Sequence, residues 1–150
     1  MRKYRHADYY ILLHQMREPD RLEVQILSGN VEKAVRMTLA LADKVWTGTI
    51  DDEVVCVFGV NPRSILTNEG CPWLLGTKKL DKYPVTFMRH ARPYLERMKA
   101  RYPRLSNLVD VRNSRSVRWL KLLGFNMHQP VAINGGQFYP FSLNYAGMEH

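Results

Sequence analysis

The residues best placed to do chemistry lie between Asp110 and Phe125, in the run DVRNSRSVRWLKLLGF. Asn113 follows the short apolar run Leu108, Val109 and Val111, and its side-chain oxygen can accept from the free backbone N–H groups of a following turn. A helix capped in this way also offers those groups to a ligand. Other reactive side chains are scattered. Asp51, Asp52 and Glu53 could act as a base or hold a metal, but three acids in a turn are ordinarily solvated. His14 stands alone and suits a structural role better than a ligand's. Cys56, in an apolar run, and Cys71, in a loop, have neither CxxC spacing nor nearby histidines, which predicts reduced thiols and no metal site.

The elements that must position these residues follow from periodicity. After Asn113, Val117, Leu120 and Leu123, with Trp119 beside them, form one face of a helix of about ten residues, and Arg115, Arg118 and Lys121 lie mostly opposite. Gly124 suits the left-handed C′ position, and Phe125 can fold back on the last turn. Earlier in the chain, residues 8–16 and a segment from Pro19 to before Ser28 predict two short helices, and Asn30 caps a third with Val31, Val35 and Leu39 on one face. Val45–Ile50 and Val54–Val60 predict a hairpin that Asn61-Pro62 breaks. Pro72–Thr77 predicts a buried strand. A long helix opens at Pro84 and buries Val85, Met88, Ala91, Leu95 and Met98, with a bend or division at Pro93. Asn134-Gly135-Gly136 joins a last hairpin, with strands near Val131–Ile133 and Phe138–Leu143. The sum is an α+β fold in one domain over 1–150, with helices covering a mostly antiparallel central sheet.

At 150 residues, with 45% hydrophobic and 24% charged residues, the chain can bury one core. No apolar run approaches the ~20 residues of a membrane span, and the N-terminus lacks the apolar region of a signal peptide, so a soluble intracellular protein is expected. The net charge of +8 admits an anionic partner without identifying it. Arg89, Arg92, Arg97, Lys99, Arg101 and Arg104, followed by Arg112, Arg115, Arg118 and Lys121, fit either solvated helix faces or an anion-binding surface. Aromatic residues are not interleaved with them as in an RNA-binding sheet, which leaves DNA contact through the basic helices open.

Asn113-x-x-Ser116-Val117-x-Trp119-Leu120-x-x-Leu123-Gly124-Phe125 resembles the motif after the fifth strand of GNAT N-acetyltransferases, and the element order agrees over nearly the whole chain. More narrowly, Pro72–Thr77 with Asp110–Asn113 and Arg118–Lys121 resembles a GNAT-like phage family that includes the internal virion protein of short-tailed coliphages. The resemblance implies a GNAT-like fold with helices on both faces of the sheet. It also implies an acetyl-CoA site in a splay between the fourth and fifth strands, whose residues here would be Trp73, Leu75, Gly76, Thr77, Lys78, Lys79, Asn113 and Ser116.

The sequence departs from the family twice. A Gly-rich loop that cradles pyrophosphate on successive N–H groups is replaced by Gly76–Pro84, with a single glycine and with Pro84 removing a donor. The tyrosine that acts as general acid in many family members is replaced by Leu120, which has no proton to give; Tyr83, Tyr94 or Tyr139 could substitute only if the fold brings one to the site. No catalytic residue is assigned. The resemblance thus implies a degenerate, non-catalytic virion or assembly component, found in the host cytoplasm during infection and in the particle, with virion proteins, a host protein or DNA as partners. The alternative is an active acyl-CoA N-acyltransferase acting on a host protein or small amine.

Overall fold

The structure, a computed structural model, describes residues 1–64 and 66–144. Residues 145–150, included in the expected domain, lie outside the described residues. In chain order, β1 (Arg2–Lys3) precedes three helices, α1 (His6–Gln15), α2 (Glu18–Ser28) and α3 (Val31–Ala40). Then come β2 (Lys44–Ile50), β3 (Glu53–Ser64), β4 (Glu69–Gly76), a 3-10 turn at Lys78–Lys82, and α4 (Pro84–Arg101). The chain continues through β5 (Arg104–Asp110), α5 (Ser114–Leu122), β6 (Asn126–Met127), β7 (Val131–Ile133) and β8 (Gly136–Asn144).

The strands form one mixed sheet in the order β1-β2-β3-β4-β5-β8-β6, with β7 paired to β8. Only β4 and β5 run parallel; every other pairing is antiparallel. Helices cover both faces, as expected. On one, Tyr9, Leu12, Met16 and Val35 pack on Val54, Val57 and Leu75. On the other, Phe87, Leu95 and Met98 of α4 and Val117 and Trp119 of α5 pack on strand residues that include Phe58, Leu105 and Val109. The switch of face along β3 is made at a bulge. Pairing passes from Gly48↔Cys56 to Thr49↔Val54 and leaves Val55 as the extra residue.

Local signals explain most of the boundaries. Asn30 Oδ1 accepts from the Lys33 N–H at 3.0 Å and starts α3. Gly124, at φ 100°, ends α5 with two bonds, Gly124 N–H to the Lys121 carbonyl at 3.1 Å and Phe125 N–H to the Leu120 carbonyl at 3.0 Å. Asn134 and Gly135 have φ of 48° and 83°, as a two-residue hairpin turn between β7 and β8 requires.

Five expectations need correction. β3 continues through Asn61-Pro62 to Ser64, because β2 stops pairing at Val60 and a proline beyond that point has an open side to which its missing N–H can turn. β4 begins at Glu69, so Cys71 is on a strand. Of the bend or division expected at Pro93, the division is absent: α4 runs through it as one helix, with Phe87 before it and Leu95 and Met98 after it anchored on the sheet. Val85 is 69% exposed and lies outside the buried stripe. The strand before Asn113 is β5, which ends at Asp110 and leaves Val111 in the turn.

One feature of the sheet creates a site. β4 and β5 pair only at Glu69↔Arg104 and Gly70↔Leu105, then diverge. Asn107 Nδ2 spans the start of the fork to the Pro72 carbonyl at 2.8 Å.

Candidate functional site

The fork opens into a cavity of about 390 Å³. Leu74 and Leu75 of β4 and Leu108 and Val109 of β5 are its middle, and it reaches Val24 and Thr38 on one face of the sheet and Tyr94 and Trp119 on the other. Its walls are chiefly apolar, with a few polar groups among them.

The carboxyl end of the fork is closed by α2. Asp20 Oδ2 accepts from the Gly76 N–H at 2.8 Å, while Oδ1 accepts from Asn113 Nδ2 at 3.1 Å and from Arg17 Nη1 at 2.9 Å. A single carboxylate therefore joins the last residue of β4 to the residue that caps α5. One turn later, Glu23 Oε1 accepts from the Asp110 N–H at 2.5 Å, on the end of β5. Arg17 is 3% exposed; its N–H donates to the Gly76 carbonyl at 2.8 Å and its Nε to Asp81 at 2.9 Å. Arg115 reaches the same Asp81 carboxylate at 3.2 Å. The result is a network of alternating charge across the mouth of the fork, buried at Arg17 and Asp20 and exposed at Asp81 and Arg115.

Burial governs the ionisation of these groups. Glu23 lines the cavity, and desolvation pushes its carboxyl up to about 8, against the pull of the Asp110 N–H, so it keeps its proton at neutral pH. Burial also raises Asp20, opposed by Arg17, the Gly76 N–H and Asn113. Asp110 moves the other way because the Arg112 guanidinium bonds its carboxylate at 2.8 Å and 3.1 Å.

The eight residues proposed for a cofactor separate into two groups. Trp73, Leu75 and Ser116 line the cavity. Trp73 leaves the slot open, its Nε1 donating to Asn61 Oδ1 at 2.8 Å. The others lie outside its lining. Gly76 is required by close packing, since a Cβ there would lie 2.6 Å from Leu80 Cδ2 and 2.7 Å from Arg17 Cδ. Thr77 is fully buried, its N–H bonded to the Val55 carbonyl at 2.9 Å and its hydroxyl to that of Val54 at 3.0 Å, both at the β3 bulge. Lys79 pairs with Glu53, which removes it from the fork, and Lys78 is exposed on the 3-10 turn. Asn113 does not cap α5 with its side chain: Nδ2 is turned to Asp20, and the buried Oδ1 has no partner among the described residues.

Leu120 stands at the cavity wall, and of the three tyrosines considered as substitutes Tyr94 lines the cavity. His14 is exposed at the end of α1 and holds nothing together. Arg17, Asp20 and Glu23 escaped the sequence reading. Their signal was an acid pair at i, i+3 on a helix that otherwise needs an apolar inner face.

For a thioester cofactor with a diphosphate, the donors nearest the fork are already engaged. Of the backbone donors at the end of β4, the Gly76 N–H is held by Asp20 and that of Thr77 by Val55, and the amide of Asn113 is also turned to Asp20.

No protein-family model matches the chain, and no curated protein matches it. Solved structures do. A ribosomal-protein-alanine N-acetyltransferase from Brucella melitensis superposes with a TM-score of 0.71 at 12% identity, over 95% of this chain and 98% of that one. A spermidine N-acetyltransferase from Vibrio cholerae, solved in complex with CoA and spermine, gives 0.68 at 10% identity, over 97% and 94%. At such identities the likeness is one of fold: the chain has the α+β fold of the GNAT acetyltransferases.

Proposed function

We propose that this chain is a single-domain GNAT-fold protein that does not transfer acetyl groups and acts as a binding or assembly component. The observation that carries this reading is the Asp20 bridge between Gly76 and Asn113. A ligand that used the Gly76 N–H or the Asn113 amide would have to displace a buried carboxylate that is also paired with Arg17. Leu120 adds to the case, because it has no proton for a leaving thiolate.

The two blocks that resemble the internal virion protein family support the finer reading, a phage virion or assembly component with virion proteins or a host protein as partners. Mass spectrometry of purified particles, with growth of a phage lacking the gene, tests it; absence from particles together with normal assembly would remove it.

The second reading is an acyl-CoA N-acyltransferase, favoured by the cavity through the sheet and by the proton on Glu23 inside it. It requires α2 to leave the fork. Calorimetry with acetyl-CoA and CoA separates the two. The first expects no heat at millimolar ligand, and micromolar binding would overturn it in favour of the second.

A further inference from the structure

Basic side chains are concentrated on one face of the sheet. Helices α1, α2 and α3 carry five acids, of which Asp8 and Asp20 are buried in ion pairs, against three basic side chains. On the other face, α4 and α5 carry eight basic side chains against one acid, Glu96. Net charge alone would be a solubility statement, but this concentration of bases on two adjacent helices makes a surface.

Several of the eight are already engaged. Lys99 bonds Glu96 at 3.0 Å, Arg101 pairs with Asp43 at 3.2 Å, Arg115 with Asp81, and Arg97 lies 4.6 Å over the Tyr94 ring. Arg89, Arg118 and Lys121 are exposed and have no acidic partner among the described residues. Arg92, also exposed, gives one N–H to the Leu122 carbonyl at 2.9 Å and has others left. That bond, with the Phe87 and Trp119 rings 4.7 Å apart beneath it, fixes α4 and α5 side by side. Lys82 extends the band at the foot of α4.

We infer that the outer face of α4 and α5 docks on the phosphate backbone of double-stranded DNA, without reading base sequence. Guanidinium groups match phosphate oxygens in pairs, and three of the four central cations are arginines. Unpaired bases are recognised by stacking on aromatic rings, but Tyr94 is half-buried under Arg97, and the exposed Tyr83 stands at the end of the face. Neutral side chains for reading 2′-hydroxyls or base edges are few on these helices. A protein partner would need an apolar anchor; the exposed Val85 and Leu122 stand about two turns of α4 apart. The inference is independent of whether the fork admits a cofactor.

The test is fluorescence anisotropy with a labelled duplex of about 20 base pairs, titrated from roughly 50 to 200 mM salt. The triple variant Arg89→Gln, Arg118→Gln, Lys121→Gln changes exposed side chains that hold no fold contact. It is expected to weaken binding at least about tenfold at the low-salt end and to reduce the slope of log K against log salt by about 2–3. The pair Lys33→Gln, Arg36→Gln on α3 removes two charges from the opposite face and is expected to change the slope by less than about 1. Absence of duplex binding at low salt, an unchanged slope in the triple variant, or equal loss in the α3 variant would overturn the inference. So would tighter binding of single strands or duplex RNA, or binding of an acidic polypeptide but not DNA.

Discussion

Asp20 joins three parts of the chain that are distant in sequence, and its loss should be felt at all of them. Asp20→Ala leaves the Gly76 N–H and Asn113 Nδ2 without an acceptor and deprives buried Arg17 of one of its two carboxylates. Urea unfolding should show a loss of about 3–5 kcal/mol, in the range for breaking a buried pair; a loss below about 1 kcal/mol would mean that water or rearrangement replaces the bridge. Glu23 predicts a pH dependence of definite sign. Its folded pKa of about 8 lies above the ordinary 4.5, so the stability gained from the neutral carboxyl is intact below about 4.5 and is lost as pH rises through 8. Glu23→Gln keeps an acceptor for the Asp110 N–H without the ionisation. The variant should match the parent near pH 4.5 and exceed it in stability near pH 9, and parallel stability curves across that range would refute the assignment. Little of this was legible in the sequence. Asp20 looks like an ordinary first-turn acid of α2 and Glu23 like a solvated acid one turn on, and beyond their i, i+3 spacing only the fold shows that the sheet has a gap for them to enter.

At the scale of elements, far more could be read in advance. Asn30, Asn134-Gly135 and Gly124 mark their boundaries because caps and left-handed turns depend on one or two residues of the right type. Gly124→Ala isolates that term: nothing lies within 4 Å of an added Cβ, so the cost is the strain of φ 100°, about 1–2 kcal/mol by thermal or urea unfolding. A substitution without effect would mean that the turn changes conformation. The extents of β4 and β5 were hidden for the opposite reason. Glu69, Arg104, Ser106 and Asn107 are polar, and they are in strands because a neighbour pairs with them. Pro93 misled for a related reason: the apolar stripe on either side of it holds α4 together despite the lost donor. Pro93→Ala should therefore stabilise the exposed side of α4 by up to about 3 kcal/mol, and a destabilisation would show that the proline is shaping the helix for its packing.

At the scale of the whole molecule, the sheet is two halves, β1–β4 and β5–β8, joined at a fork. Two residue pairs of parallel ladder, the side-chain bonds of Asn107, Ser106 and Arg63 beside it and the carboxylates of α2 hold the halves together. In the fold as the sequence resemblance describes it, this fork admits a ligand; here a helix of the chain itself reaches the same groups. If α2 is the clasp, Asp20→Ala should release the carboxyl ends of the fork before the core is affected. Amide hydrogen exchange provides the readout, because opening local to the fork is faster than global unfolding. The Gly76 and Asp110 amides, each bonded to an α2 carboxylate in the parent, should lose protection in the variant by a larger factor than the central β3 amides of residues 54–60, which are buried between neighbours on both sides. Acceleration by one common factor at all these positions would report only lower global stability, and the sheet would then be held as a single unit without help from α2.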